Sequence, residues 1–377
     1  MNLNQYEGQD ESAAISSNAT NGSDHGTDTL GKWQEPQWLI IVYFTLLASG
    51  GIINLLHTLA LIRSRRNGIL SLILQISLVD MGSCYVAVNE ILTLNQRTWY
   101  FSTDFCPFFK GMEVLVNTLI VYLLICFNFH VISLWNLHEM EIKKNNKNPL
   151  TSCNSSRDDS NECLVAKQDN TNRLVTIDYR KRKDDISIVF PTIFIWIVSL
   201  SLSIPNFTLS STLKLKENCT LCAVIDIYYG QVLQYSLLIF KIVLPVLLLF
   251  LTLIVLTVKL SQTSKSDIEN ILTKKMCEIR KLLIFGITLT TLYFLTSFQR
   301  QFFHFIHIIS HSFDKNNINN FKMPPLYNNY LNKSNITYLA MLHYSGSTLR
   351  GLLCLLILPK FPYLVKSKIF VCCKIKE

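Results

Sequence analysis

Seven long apolar runs alternate with polar segments along the chain, at roughly 38–62, 69–94, 112–135, 186–209, 228–258, 282–309 and 336–358. Each is long enough, as a helix rising 1.5 Å per residue, to cross about 30 Å of hydrocarbon. The pattern predicts an all-α membrane protein, a seven-transmembrane helix bundle spanning 38–358. The flanking pieces are a polar N-tail at 1–37, a long polar loop at 136–185 and a tail at 359–377.

Composition follows from this pattern. Of the 377 residues, 49% are hydrophobic and 16% charged, against about 25% charged in an ordinary soluble domain. Length alone would allow two soluble domains, but apolar residues gathered into blocks do not suit them. Fibrous, disulfide-dense secreted and mainly disordered classes are excluded on the same grounds.

The net charge of +9 would suggest nucleic acid if it were spread evenly, but 24 of the 35 Lys and Arg follow the first, third, fifth and seventh runs. Only eight, Lys110 among them, lie in the opposite loops and N-tail, while Lys241, Arg300 and Arg350 fall within runs. The bias of basic residues toward cytoplasmic loops places the N-terminus outside and the C-terminus inside. The expected setting is the plasma membrane, with lipids as partners and no nucleic acid. No separate secretory signal is visible, because the first apolar run is too long for one and leads into Arg63, Arg65 and Arg66. Among the sequons that this orientation puts outside, Asn18 and Asn21 are the favoured glycosylation sites, being farthest from the bilayer.

Several spaced residues go beyond a count of seven. Trp99-Tyr100-Phe101 precedes the third run, with Cys106 seven residues after Trp99, and Cys219 and Cys222 lie between the fourth and fifth runs. Asn54, Asp80, Trp196 and Pro245 mark runs one, two, four and five, and Phe294 and Phe298 stand four apart in run six.

From about residue 35 to 373 this set resembles the rhodopsin-like class of G-protein-coupled receptors. The resemblance implies a disulfide from Cys106 to Cys219 or Cys222, and an extracellular ligand whose binding is passed to a heterotrimeric G protein. It departs from the family where Asp-Arg-Tyr is replaced by His130-Val131-Ile132. Arg300 stands in place of the helix-six proline, and Arg350-Gly351-Leu352-Leu353-Cys354 replaces Asn-Pro-x-x-Tyr.

Ionisable groups inside a span are costly and usually face a partner or a cavity. The resemblance sets Asp80 and Arg350 facing each other at the bundle centre, where the family commonly holds a sodium ion beside the Asp. Arg350 would put a fixed cation there, with Asn54 and Ser347 nearby and Ile120 replacing a pocket serine. The expectation is an Asp80–Arg350 salt bridge and little sodium sensitivity; the bland reading is that Arg350 snorkels to the cytoplasmic surface.

Nearer the outside, Glu113 stands where amine receptors hold an aspartate, Asn117 is one turn on, and Lys241 precedes Pro245 by four residues. With Phe298 and Gln301 these form the candidate ligand site. Glu113 and Lys241 either bind a zwitterionic or peptide ligand or pair with one another. His304, His307 and His311 share one helical face, but interfacial amphipathic rings explain them better than zinc, so no metal or cofactor is expected. Lysines among Phe361, Leu364, Ile369 and Phe370 predict a short amphipathic cytoplasmic helix, with Cys372 and Cys373 as palmitoylation candidates.

The expected function is that of a receptor for a peptide or small charged molecule. An atypical non-coupling receptor of the same fold and an ion channel or transporter are the alternatives. An enzyme is not expected, since no phosphate-binding glycine loop, His-Glu-x-x-His or nucleophile elbow is present.

Overall fold

In hydrocarbon every backbone N–H and C=O must find its partner within the segment, and a helix meets that need for a single run. The computed structural model describes residues 37–62, 68–96, 98–147, 188–216, 219–224, 227–266, 274–303, 305–306 and 333–357. The chain divides into two units: Met1–Gln34, outside the described residues, and Glu35–Glu377, which holds every element below. Asn18, Asn21, His304, His307, His311, the loop 148–187, the expected amphipathic tail helix, Cys372 and Cys373 also lie outside the described residues.

The apolar runs form α1 (Gln37–Ile62), α2 (Gly68–Gln96), α3 (Phe105–Lys147) and α4 (Val189–Leu209). Helix α5 passes through Ile227–Leu237, Leu238–Val243 and Leu244–Ser266; α6 runs through Lys274–Tyr293 and Phe294–Phe298 and continues as helix to 303; α7 is Lys333–Ile357. Six of these, α1 to α6, are long and apolar enough to cross a membrane, consistent with a multi-pass plasma-membrane protein. Helix α7 is more polar, because His343, Ser347, Thr348 and Arg350 on it are buried against its neighbours.

Helix α3 occupies the centre, packed against α2, α4, α5 and α6, and α7 closes the ring against α1, α2 and α6. Burial follows that placement: 78% of the apolar stretch of α3 is covered, against 28% for α1, α4 and α5. Helices α1 and α7 come close through Gly50, where a Cβ would collide with the Thr348 side chain, a close approach that small residues permit. Thr348 Oγ1 uses that proximity to donate to the Leu46 carbonyl at 3.1 Å.

The all-α bundle carries one addition, in the loop between α4 and α5. The segment between α4 and α5 forms an antiparallel hairpin, β1 (Ser210–Lys216) and β2 (Cys219–Val224), with Thr212 opposite Cys222. Its polar and apolar residues alternate too briefly to outweigh the longer apolar runs on either side. The hairpin is tied to the start of α3, since the Trp99 N–H donates to the Thr220 carbonyl at 2.7 Å. Thr220 Oγ1 returns a bond to the Trp99 carbonyl at 3.1 Å.

Helices α5 and α6 each contain a wide π turn, Leu238–Val243 and Phe294–Phe298. The first has a clear chemical cause. Pro245 has no N–H to offer the carbonyl four residues back, and the Leu244 N–H donates five residues back, to Ile239. The Phe240 carbonyl, left over by that shift, accepts from Tyr122 Oη of α3 at 2.7 Å. The turn that contains Lys241 is therefore pinned to the central helix.

Toward the end of the bundle away from the hairpin, Asn128 of α3 joins three helices. Its Nδ2 donates to Thr252 Oγ1 of α5 at 3.2 Å and to Thr290 Oγ1 of α6 at 2.8 Å. Both threonines also donate to carbonyls of their own helices, so Asn128 supplies the inter-helix bonds. Asn128→Leu is expected to cost about 1 kcal/mol, since interhelical bonds in bilayers average about 0.6 kcal/mol. A double-mutant cycle with Thr290→Val, read by thermal unfolding, should show the two changes to be non-additive.

Candidate functional site

Residues three and four apart share a helix face. On α2 that spacing lines up Asp80 and Cys84, with Glu90 six residues farther toward the hairpin; on α7 it lines up Arg350, Ser347 and Tyr344. The two faces meet as a polar ladder of three rungs, in a bundle whose other contacts are mostly apolar.

The lowest rung is Asp80 with Arg350, 1% and 3% exposed. Arg350 Nε donates to both carboxylate oxygens at 3.1 Å, and Nη2 donates to Oδ1 at 2.5 Å. The guanidinium thus fills the carboxylate as a planar fork, which lysine would not reproduce. In the second rung Cys84 Sγ and Ser347 Oγ share a hydrogen bond at 3.3 Å, and Ser347 Oγ donates to the Tyr344 carbonyl at 2.8 Å. Asn54 of α1 braces the same turn, its Nδ2 donating to the carbonyls of Gly50 at 3.0 Å and Ser347 at 3.3 Å.

The top rung opens into a wider network near the hairpin. Tyr344 Oη donates to Glu90 Oε2, and Arg300 of α6 donates to Glu90 Oε1 at 2.5 Å. Arg300 also reaches Glu113 Oε1 of α3 at 3.4 Å, while Lys110 holds Glu113 Oε2 at 3.1 Å. The Arg300 guanidinium lies over the Tyr344 ring, 5.4 Å from its centroid, adding a cation–π contact. Lys241 sits on the π turn of α5, within electrostatic reach of Glu113, Arg300, Lys110 and Glu90. It makes no ion pair within 4.0 Å among the described residues.

These positions revise several expectations. The internal partner of Glu113 is not Lys241: the carboxylate is taken by Lys110 and Arg300. Lys110 belongs to α3 and not to the loop before it, because the helix starts at Phe105. Arg350 does not snorkel toward a surface; it is held against Asp80. Of the two loop cysteines, Cys222 is the one bonded to Cys106.

Asn117 Oδ1 meets His343 Nε2 at 2.9 Å, linking α3 to α7 beneath the charged network. Gln301 Oε1 accepts from Tyr293 Oη at 3.1 Å, within α6 itself. Phe298 stacks between Phe294 and Phe302, 5.6 Å from each, in a ladder along α6. Neither Gln301 nor Phe298 shares a hydrogen bond or ion pair with the charged network among the described residues.

Sequence reasoning missed Glu90, Tyr344 and His343. Glu90 carried a usable signal, as a carboxylate inside an apolar run. His343 carried the same signal, as an ionisable group inside the seventh run, whereas the residue type of Tyr344 does not mark it out.

No protein-family model and no curated protein matches this chain.

The arrangement is a set of charges shared among α2, α3, α6 and α7. A group that binds to this network alters the balance of those pairings, and with it how the helices hold each other.

Proposed function

We propose that the chain is a receptor of the rhodopsin-like type, a seven-span bundle with its N-terminus outside. It senses an extracellular peptide or small charged molecule at the hairpin end and passes a change of packing to a cytoplasmic G protein. The observation that carries this reading is the covalent tie at one mouth of the bundle. Cys106 at the start of the central helix is bonded to Cys222 of the hairpin, and the charged network lies just below. A ligand seated there would act on α3, α6 and α7 together, the differential contact that a population shift requires. The function proposed is signalling and not catalysis.

One observation favours a second reading, a receptor of the same fold that binds ligand without coupling. At His130-Val131-Ile132, Val131 is fully buried and Ile132 packs against the apolar core. This part of α3 therefore supplies packing where a coupling receptor of the resembled class presents an arginine.

The test is surface display in cells, followed by a screen of peptides and small charged molecules with a G-protein dissociation assay. A ligand-dependent response without ion current supports the first reading, and binding without dissociation supports the second. Ion currents without G-protein activation would overturn both. Both carboxylate oxygens of Asp80 are occupied, so replacing sodium by choline in the bath is expected to leave ligand affinity unchanged. A sodium-dependent shift in affinity would show that Arg350 vacates that site.

A further inference from the structure

Among the described residues of this network the cations outnumber the carboxylates, and the hydrogen bonds show where the imbalance falls. Three cations, Lys110, Lys241 and Arg300, share the region with two carboxylates, Glu90 and Glu113. All four carboxylate oxygens are engaged: Glu90 takes Arg300 and Tyr344, and Glu113 takes Arg300 and Lys110. Lys241, by contrast, has no ion pair within 4.0 Å among the described residues. Arg300 Nη1 is also buried with no acceptor among the described residues, and so is Tyr43 Oη, which interacts electrostatically with Glu90 and Arg300. Tyr43 is 3% exposed.

An ionic group held in a low-dielectric bundle without a counter-charge is costly, and so is a buried donor without an acceptor. One anionic acceptor would relieve both deficits. A cationic ligand would relieve neither, because it adds positive charge to a cluster already in excess of it and brings no acceptor for Arg300 Nη1. The network is not sealed, since Glu90 and Glu113 keep 21% of their side-chain surface uncovered, Arg300 24% and Lys110 41%.

We infer that this cluster is an anion site, and that the ligand presents a single carboxylate between Lys241 and Arg300. The inference rests on the receptor reading above and sharpens it, because it reverses the sign suggested by Glu113 alone. Glu113 is not an amine acceptor; it is the counter-ion that positions Lys110 and Arg300. The charge recognised belongs to the ligand, and Lys241 is the residue left to meet it.

The experiment uses the full-length chain purified into lipid nanodiscs, with the thermal midpoint as readout. The probes are 3-phenylpropionate, its primary amide and 3-phenylpropylamine. The carboxylate is expected to raise the midpoint by about 2–6 °C, and the amide and amine to leave it unmoved. Lys241→Met should abolish the shift and Lys241→Arg should keep it. Without any probe, Lys241→Met should not lower the midpoint, because it removes an unneutralised charge.

A midpoint that falls in Lys241→Met without probe shows that the lysine already has its counter-ion, and overturns the inference. An amine shift as large as that of the carboxylate overturns it too, as does no carboxylate shift up to its solubility limit. None of these readouts involves a G protein. A carboxylate shift lost in Lys241→Met, with no G-protein response in cells to any ligand, would defeat the coupling-receptor reading and leave the anion site. A G-protein response to an amine that persists in Lys241→Met would do the reverse.

Discussion

Arg350→Met is expected to cost the protein about 3–5 kcal/mol, because it strands the Asp80 carboxylate, 1% exposed, without its partner. The loss should appear as a lower thermal midpoint and reduced surface display. Asp80→Leu should be similarly damaging, since it leaves a guanidinium with no carboxylate. Combining the two should recover most of the loss, because a buried ion pair replaced by apolar side chains of similar volume is often neutral or stabilising. Arg350→Lys should fall in between: the charge survives, but the planar fork that contacts both carboxylate oxygens does not. If the two single variants proved additive in the double, the groups would not be acting as a pair.

Loss of the disulfide has the next largest expected effect. Cys106 and Cys222 close a loop across 116 positions. Removing a native disulfide from a small secreted domain typically costs 2–5 kcal/mol. The cost here should lie at the lower end, about 2–3 kcal/mol, because the helices inserted at either side already restrict the unfolded chain. Cys106→Ser and Cys222→Ser should lower the thermal midpoint equally, and the double variant should be no worse than either. Cys219→Ser should be silent. A loss in Cys219→Ser matching that of Cys222→Ser would mean that the bond lies elsewhere. Because the hairpin is also held by backbone bonds between Trp99 and Thr220, these variants should loosen the mouth before they unfold the bundle.

Legibility from the sequence tracked how local each signal was. Seven apolar runs, α7 included, stand out by hydropathy, a property summed over adjacent residues. That the polar side chains of α7 are buried is not legible in the same way, because residues separated in sequence by hundreds of positions decide it. Asp80 and Arg350 were visible as intramembrane charges, but their facing one another came through the family resemblance, since periodicity within one helix says nothing about its neighbour. Glu113 shows the converse. Its partner Lys110 lies three residues away on the same helix face, a relation that the sequence does contain. Lys110 was set aside as a loop residue because the apolar run begins after it. Spacing missed the hairpin as well, since Thr212 to Val224 offers alternation over a few residues only. The π turn at Leu238–Val243 has a sequence cause in Pro245, but its pinning by Tyr122 depends on α3 and α5 lying side by side.

The lowest rung of the α2–α7 ladder has an electrical consequence. A membrane potential does work on net charge, about 2.3 kcal/mol for each elementary charge carried through 100 mV. A central carboxylate that holds an exchangeable cation couples the bundle to that field whenever the cation enters or leaves. In this chain both members of the pair are covalently attached and their charges cancel, so the field finds only a short dipole at the centre. The middle of the bundle is voltage-silent, and a rearrangement that keeps Asp80 and Arg350 together moves no gating charge through it.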